Sequence, residues 1–139
     1  MDIKEPKDRS YNMSQIRSKN TKPEEIVRKW LFSKGFRYRK NVKELPGCPD
    51  VVLPKYKTVI FVNGCFWHMH SNCSKAIMPQ TNIEFWSKKL VHNQQRDKEK
   101  QRQLEELGWK VFVVWECELN KRIREETLHC LRGNIIDYY

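Results

Sequence analysis

The run Gly64-Cys65-Phe66-Trp67-His68-Met69-His70-Ser71-Asn72-Cys73 places two thiols, two imidazoles and two large aromatic rings in ten consecutive residues. A hydrophobic core does not need that mixture. The short spacings between Cys65, His70 and Cys73 let their side chains converge on one tetrahedral zinc, with a fourth ligand from elsewhere in the chain. Cys117, which ends the apolar run Val111-Phe112-Val113-Val114-Trp115-Glu116, is the best-placed donor. Four protein ligands close such a site, so the metal is structural and contributes on the order of 10 kcal/mol to folding. His68 also lies within reach, and spacing favours His70 only slightly. The imidazole left over stays close to Asp50 as a base or a phosphate contact.

Immediately upstream, Asp50-Val51-Val52-Leu53 and Thr58-Val59-Ile60-Phe61-Val62-Asn63 are strand-like runs separated by Pro54-Lys55-Tyr56-Lys57, a plausible hairpin connection. Antiparallel pairing brings Asp50 beside Phe61 to Asn63. The rigid approach Leu45-Pro46-Gly47-Cys48-Pro49 then fixes the backbone before the carboxylate, and Phe36-Arg37-Tyr38-Arg39 alternates as a half-exposed strand does. Further upstream, Thr21 and Glu24 have capping-box spacing with Pro23 in the first turn, and Ile26, Val27, Trp30 and Leu31 form an apolar stripe. This predicts an amphipathic helix that ends at Gly35.

Downstream, Thr81 and Glu84 repeat the capping-box spacing and open a long helix that runs to Leu107, with Gly108 as its stop. Its middle, His92 to Gln103, is polar and calls for water or a partner. Trp86, Lys89 and Asn93 share one face, which suits a DNA groove; the same spacing also describes a solvated helix with Trp86 in the core. Trp109 to Trp115 reads as a buried central strand that delivers Cys117 to one sheet end. Ile123, Leu128 and Leu131 outline a short helix, and residues 133–139 read as a C-terminal tail.

The 139 residues fit one domain, 1–139, with a flexible N-terminal arm over 1–13. Lys and Arg number 27 against 17 acidic residues, giving a net charge of +10, which favours a polyanion, nucleic acid first, through phosphate contacts and counterion release. Residues 1–40 hold twelve basic and five acidic side chains and so carry most of the surplus. No apolar run approaches the ~20 residues of a membrane span. Met1-Asp2-Ile3-Lys4-Glu5 lacks the apolar core of a secretory signal, so the expected location is the cytoplasm, where thiols stay reduced. Cys48 and Cys130 are then spare thiols. A carboxylate at a sheet end, beside a backbone carbonyl, a second acid and an imidazole, makes a site for hydrated magnesium that cleaves phosphodiesters.

Asn12-Met13, Thr21-Lys22-Pro23-Glu24, Leu45-Pro46-Gly47-Cys48-Pro49-Asp50, Phe61-Val62-Asn63-Gly64-Cys65-Phe66-Trp67-His68, Phe85-Trp86, Asn93, Arg96-Asp97, Leu107-Gly108-Trp109 and Val114-Trp115-Glu116-Cys117 together resemble the bacterial very short patch repair endonucleases, over residues 9 to 119. The resemblance implies an α/β, restriction-endonuclease-like fold with a mixed central sheet flanked by helices and one structural zinc site. It also implies magnesium-dependent nicking of duplex DNA 5′ of the thymine in a T:G mismatch, the product of 5-methylcytosine deamination. By the family pattern, Asp50 binds magnesium with the Val62 carbonyl as neighbour, Glu24 acts through an intervening water, and His68 is the general base. Cys65, His70, Cys73 and Cys117 hold zinc. Phe66, Trp67 and Trp86 intercalate beside the mismatch, while Met13 and the arm reach the other groove.

Two departures accompany it. Asn63 stands where the best-known member has histidine, and the reach from His70 to Cys73 is one residue longer; the Glu-x-Lys of restriction enzymes is also missing from the second strand, where the family has the Asn63-Gly64-Cys65-Phe66-Trp67-His68 segment in its place. The resemblance also points to mismatch-repair factors as partners. A monomer carries one active site, which suits a nick. The alternative is a zinc-stapled module that binds mismatched DNA without cutting it.

Overall fold

The computed structural model describes residues 21–71, 73, 76–77 and 80–137. The N-terminal arm and Met13 lie outside the described residues. Helix α1 (Lys22–Ser33) begins as its sequence dictates: Thr21 is the N-cap and its hydroxyl accepts the Glu24 N–H. Val27 and Leu31 on its inner face are fully buried.

Strands β1 (Val51–Leu53) and β2 (Thr58–Asn63) pair antiparallel, Leu53 opposite Thr58 and Val51 opposite Ile60. A 3₁₀ turn over Pro54–Tyr56 joins them, and Lys57 closes it in the left-handed conformation. Strand β3 (Lys110–Trp115) runs parallel to β2, with Asn63 opposite Trp115. A parallel pair needs a long crossover. Here the crossover carries the Cys/His segment and helix α2 (Ile83–Glu106).

The two faces of this three-stranded sheet bury different sets, as the two-residue strand period requires. Val51, Leu53, Ile60, Val62 and Val114 pack with Val27 and Leu31 of α1 and with Leu128, Leu131 and Ile135 of helix α3 (Arg124–Asp137). On the opposite face Val52 and Val59 pack with Val42 and with Leu104 of α2. The layers are therefore α1 and α3, the sheet, then α2.

Four local expectations change. The strand foreseen over residues 36–39 reduces to one bridge, Arg39 with Val52. The Thr81–Glu84 capping box does not form: Asn82, left-handed at φ 53°, is the N-cap, it makes no side-chain cap, and Thr81 and Glu84 are exposed. Strand β3 is an edge rather than the centre of the described sheet. Its apolar run reflects cover on both faces, Val114 against the first cluster and Val111 against the second, which a strand can have while one of its edges stays unpaired. Residues 133–137 are helical rather than tail, because Ile135 continues the buried face set by Leu128 and Leu131.

Candidate active site and metal centre

The Cys/His segment winds into two successive tight turns. The His68 N–H donates to the Gly64 carbonyl, the Met69 N–H to Phe66, and the His70 N–H to Cys65. Residues 65 and 70 thereby come together on one side while residue 68 is turned to the other. Donor atoms of Cys65, His70, Cys73 and Cys117 all lie within 4.8 Å of one another. Cys117 arrives from the 3₁₀ turn Glu116–Leu119 that follows β3, its Sγ 3.4 Å from His70 Nδ1. The imidazole of His70 stacks on Trp115, centroids 4.0 Å apart and planes 7° apart, so a strand residue orients it.

Tetrahedral zinc with sulfur at about 2.3 Å sets neighbouring sulfurs about 3.8 Å apart, which this donor set accommodates. Burial pushes the Cys65 thiol up to about 12 and also raises Cys117. Without a cation these thiols hold their protons, and a dication is what would draw them off. The four residues form a possible metal site.

On the other side of the turns lies a cleft of about 920 Å³, lined by Glu24, Asp50, Val62, Asn63, His68 and Asp97 among others. Asp50 immediately precedes β1, and antiparallel pairing brings its Oδ2 within 2.7 Å of the Val62 N–H, which donates to it. Arg28 ties α1 to this point: its Nη2 donates to the Asp50 carbonyl at 3.1 Å and to Glu24 Oε1 at 2.9 Å. Glu24 thus serves the cap of α1 and the electrostatics of the cleft together. Burial, and then the charge of Glu24, raise the Asp50 carboxyl from its ordinary 3.8 to about 7, against the opposing pull of the Val62 N–H, Arg28 and His68. Asn63, buried at the end of β2, completes this wall.

His68 faces the cleft, and its Nδ1 is engaged by the carboxylate of Asp97 on α2. The tertiary structure therefore separates the two imidazoles that spacing left open: His70 joins the thiols and His68 the carboxylates. Asp97 had been assigned no role. Its signal was present in the helix period, since residues 86, 93 and 97 fall on one face.

Beside the cleft, Phe66, Trp67 and Trp86 form a cluster of aromatic rings with centroids 5.0 to 5.8 Å apart, and Phe85 extends it from Trp86 at 5.3 Å. The Lys89 ammonium sits 5.8 Å from the Trp67 ring centre. Asn93 is buried, and its Nδ2 donates to the Trp67 carbonyl at 3.3 Å. The residue foreseen on a groove-reading face instead anchors the turn that carries two of the rings.

Against this geometry, the sequence model of the DNA mismatch endonuclease Vsr family matches residues 1–75. The chain belongs to the Vsr family. It is 54% identical over 130 residues to the type II nicking enzyme V.NmeAIP of Neisseria meningitidis, covering 93% of this chain and 92% of that one. It is 48% identical over 115 residues to the type II nicking enzyme V.XorIIP of Xanthomonas oryzae, covering 83% and 84% of the two chains. To the DNA mismatch endonuclease Vsr of Escherichia coli it is 40% identical over 121 residues, covering 87% and 77%. This Vsr-family chain is thus a DNA endonuclease with the restriction-endonuclease-like fold of its family. No helix among its described residues is long and apolar enough to cross a membrane.

Proposed function

We propose that this protein is a magnesium-dependent endonuclease that nicks duplex DNA on the 5′ side of the thymine in a T:G mismatch and so starts very short patch repair. One observation carries the reading: the half-buried carboxylate of Asp50, a second, buried acid in Glu24 and a carboxylate-held imidazole line one cleft whose rim is a cluster of exposed and half-exposed aromatic rings. Pure binding has no need of acids where phosphates must approach.

The donor set fits a hard dication, because burial and the neighbouring charge of Glu24 both oppose ionisation of Asp50, and a bound dication would offset both. Asp50 and the Val62 carbonyl would hold magnesium, and Glu24 would order a water beside it. Bound magnesium supplies charge stabilisation to the phosphate under attack. His68 has Nδ1 occupied by Asp97, which leaves Nε2 to take the proton of the attacking water. Asn63 hydrogen-bonds a water in the same cleft through its amide. Phe66, Trp67 and Trp86 are rigid wedges of the kind that part base steps, at a few kcal/mol of lost stacking. A mismatched step is softer and is the cheaper one to open. Lys89 and, through its hold on Trp67, Asn93 support that wedge, and Met13 would meet the opposite groove.

Zinc at Cys65, His70, Cys73 and Cys117 would staple the crossover to the turn after β3. Residues 1–139 act in this reading as one nuclease domain, a monomer in the bacterial cytoplasm, where reduced thiols can hold the metal and mismatch-repair factors can meet the nick.

The test is an end-labelled duplex with a single T:G pair, beside its T:A counterpart, incubated with protein and magnesium and resolved on a denaturing gel. A nick just 5′ of the mismatched T, absent from T:A and lost in Asp50→Ala, is the expected result. Tight T:G binding without scission, in every flanking context, would overturn catalysis in favour of a zinc-stapled mismatch-binding module.

A further inference from the structure

The cleft poses an electrostatic difficulty for a DNA enzyme. Glu24, Glu44, Asp50, Asp97 and Glu116 all line it, and each ionised carboxylate repels an approaching phosphate within a Debye length of about 8 Å at physiological salt. Something on the lip must oppose that repulsion.

Three cations line the same cleft: Lys43 from the loop before β1, and Arg96 and Lys100 from α2. Arg96 and Lys100 are one helical turn apart and therefore point along one side of α2. Among the described residues none of the three makes a salt bridge to a carboxylate, and Lys100 feels Glu99 only as a neighbouring charge, whereas Arg102, half a turn further on, is held by Glu99 and Glu106. The helix thus neutralises its outward arginine and leaves its cleft-side cations open.

The loop and the helix are locked together at this point by Gly47. Its φ of +76° is left-handed, and a Cβ there would sit 3.1 Å from Lys100 Cβ and 3.2 Å from the Phe61 ring. The stem of Lys100 therefore lies against the loop that carries Lys43 at one end and leads to Asp50 at the other. Lys100 is half-buried, unlike the exposed Lys43 and Arg96, and its ammonium leaves a constrained position rather than a freely waving stem.

We infer that Lys43, Arg96 and Lys100 form a phosphate-binding rail on the lip of the cleft, which grips the DNA backbone next to the bond that is cut. The inference rests on the reading that this cleft receives DNA. The rail positions and carries no base information, so it acts on matched and mismatched duplex alike.

The experiment measures binding of a T:G duplex without magnesium, as a function of salt, for the wild type and for the triple variant Lys43→Gln, Arg96→Gln, Lys100→Gln. Each lost phosphate contact lowers the slope of log K against log salt by about 0.9, so between about 50 and 200 mM the wild type should lose about 40-fold more affinity than the triple variant. A control triple, Arg102→Gln, Lys121→Gln, Arg122→Gln, removes the same net charge away from the cleft and should keep the wild-type slope. Equal slopes for both triples would overturn the rail and leave only bulk charge. Should the first triple melt below assay temperature, Lys100→Gln alone should give a slope change worth about 3.5-fold over that salt range, restored by Lys100→Arg; an unchanged slope overturns the rail equally. A wild type that binds duplex without salt dependence would instead refute DNA entry into the cleft itself.

Discussion

Replacing Asp50 by asparagine should make the metal-free protein more stable near neutral pH while destroying its activity. The carboxyl of Asp50 is raised from 3.8 to about 7, chiefly by burial and then by Glu24. Between those two values the folded protein keeps a proton that the unfolded chain has given up, so stability falls as pH rises through this window and levels off above it. The full shift corresponds to a ceiling of about 4 kcal/mol at alkaline pH, and relaxation with water entry should leave about half of that. The amide of asparagine still accepts the Val62 N–H, so the local hydrogen bond survives. For a chain of this size about 2 kcal/mol corresponds to a melting temperature higher by about 6–10 °C. Thermal unfolding followed by circular dichroism, without divalent cations, should show that gain near pH 8 and less than half of it near pH 4.5. Magnesium should stabilise the wild type and narrow the gap, since a ligand that binds only the folded state adds its binding free energy to stability. An Asp50→Asn protein no more stable than wild type near pH 8, or a gain that does not change with pH, would refute the argument from burial.

Two further outcomes follow from the geometry. Removing the metal with a zinc-selective chelator, or substituting Cys117→Ser, should release about one zinc per chain and sharply lower the melting temperature, because Cys117 and His70 are the link between the turn after β3 and the crossover; a colorimetric zinc assay read together with calorimetry checks both. Asp97→Asn should lower the nicking rate about 100-fold or more with little change in duplex affinity, because it removes the carboxylate that orients His68 and not a DNA contact; single-turnover kinetics separate the two effects.

Much of the candidate metal site and of helix α1 was legible in the sequence because the information is local. Thr21 and Glu24 are three residues apart, and the bond between them forms as spaced. Cys65, His70 and Cys73 fall within one short segment, and tight turns suffice to gather them. Local spacing also misled. The Thr81–Glu84 box lost to a left-handed Asn82, and residues from 133 onward were read as a tail although the buried face of the last helix continues to Ile135.

By itself the sequence determined the three thiols of the donor set, the strand pair that brings Asp50 to Val62, the basic surplus and, through its motifs, membership of the Vsr family. The tertiary structure decided which imidazole meets which partners, for His68 finds Asp97 across 29 positions of chain and His70 finds Cys117 across 47. It decided that Asn93 turns inward to Trp67, and that the loop at Gly47 seats on Lys100. The physical reason is one of range. Backbone sterics, capping and the helix and strand periods act over a few residues and leave their mark in spacing, whereas the crossover between β2 and β3 brings together side chains whose separation along the chain carries no period at all.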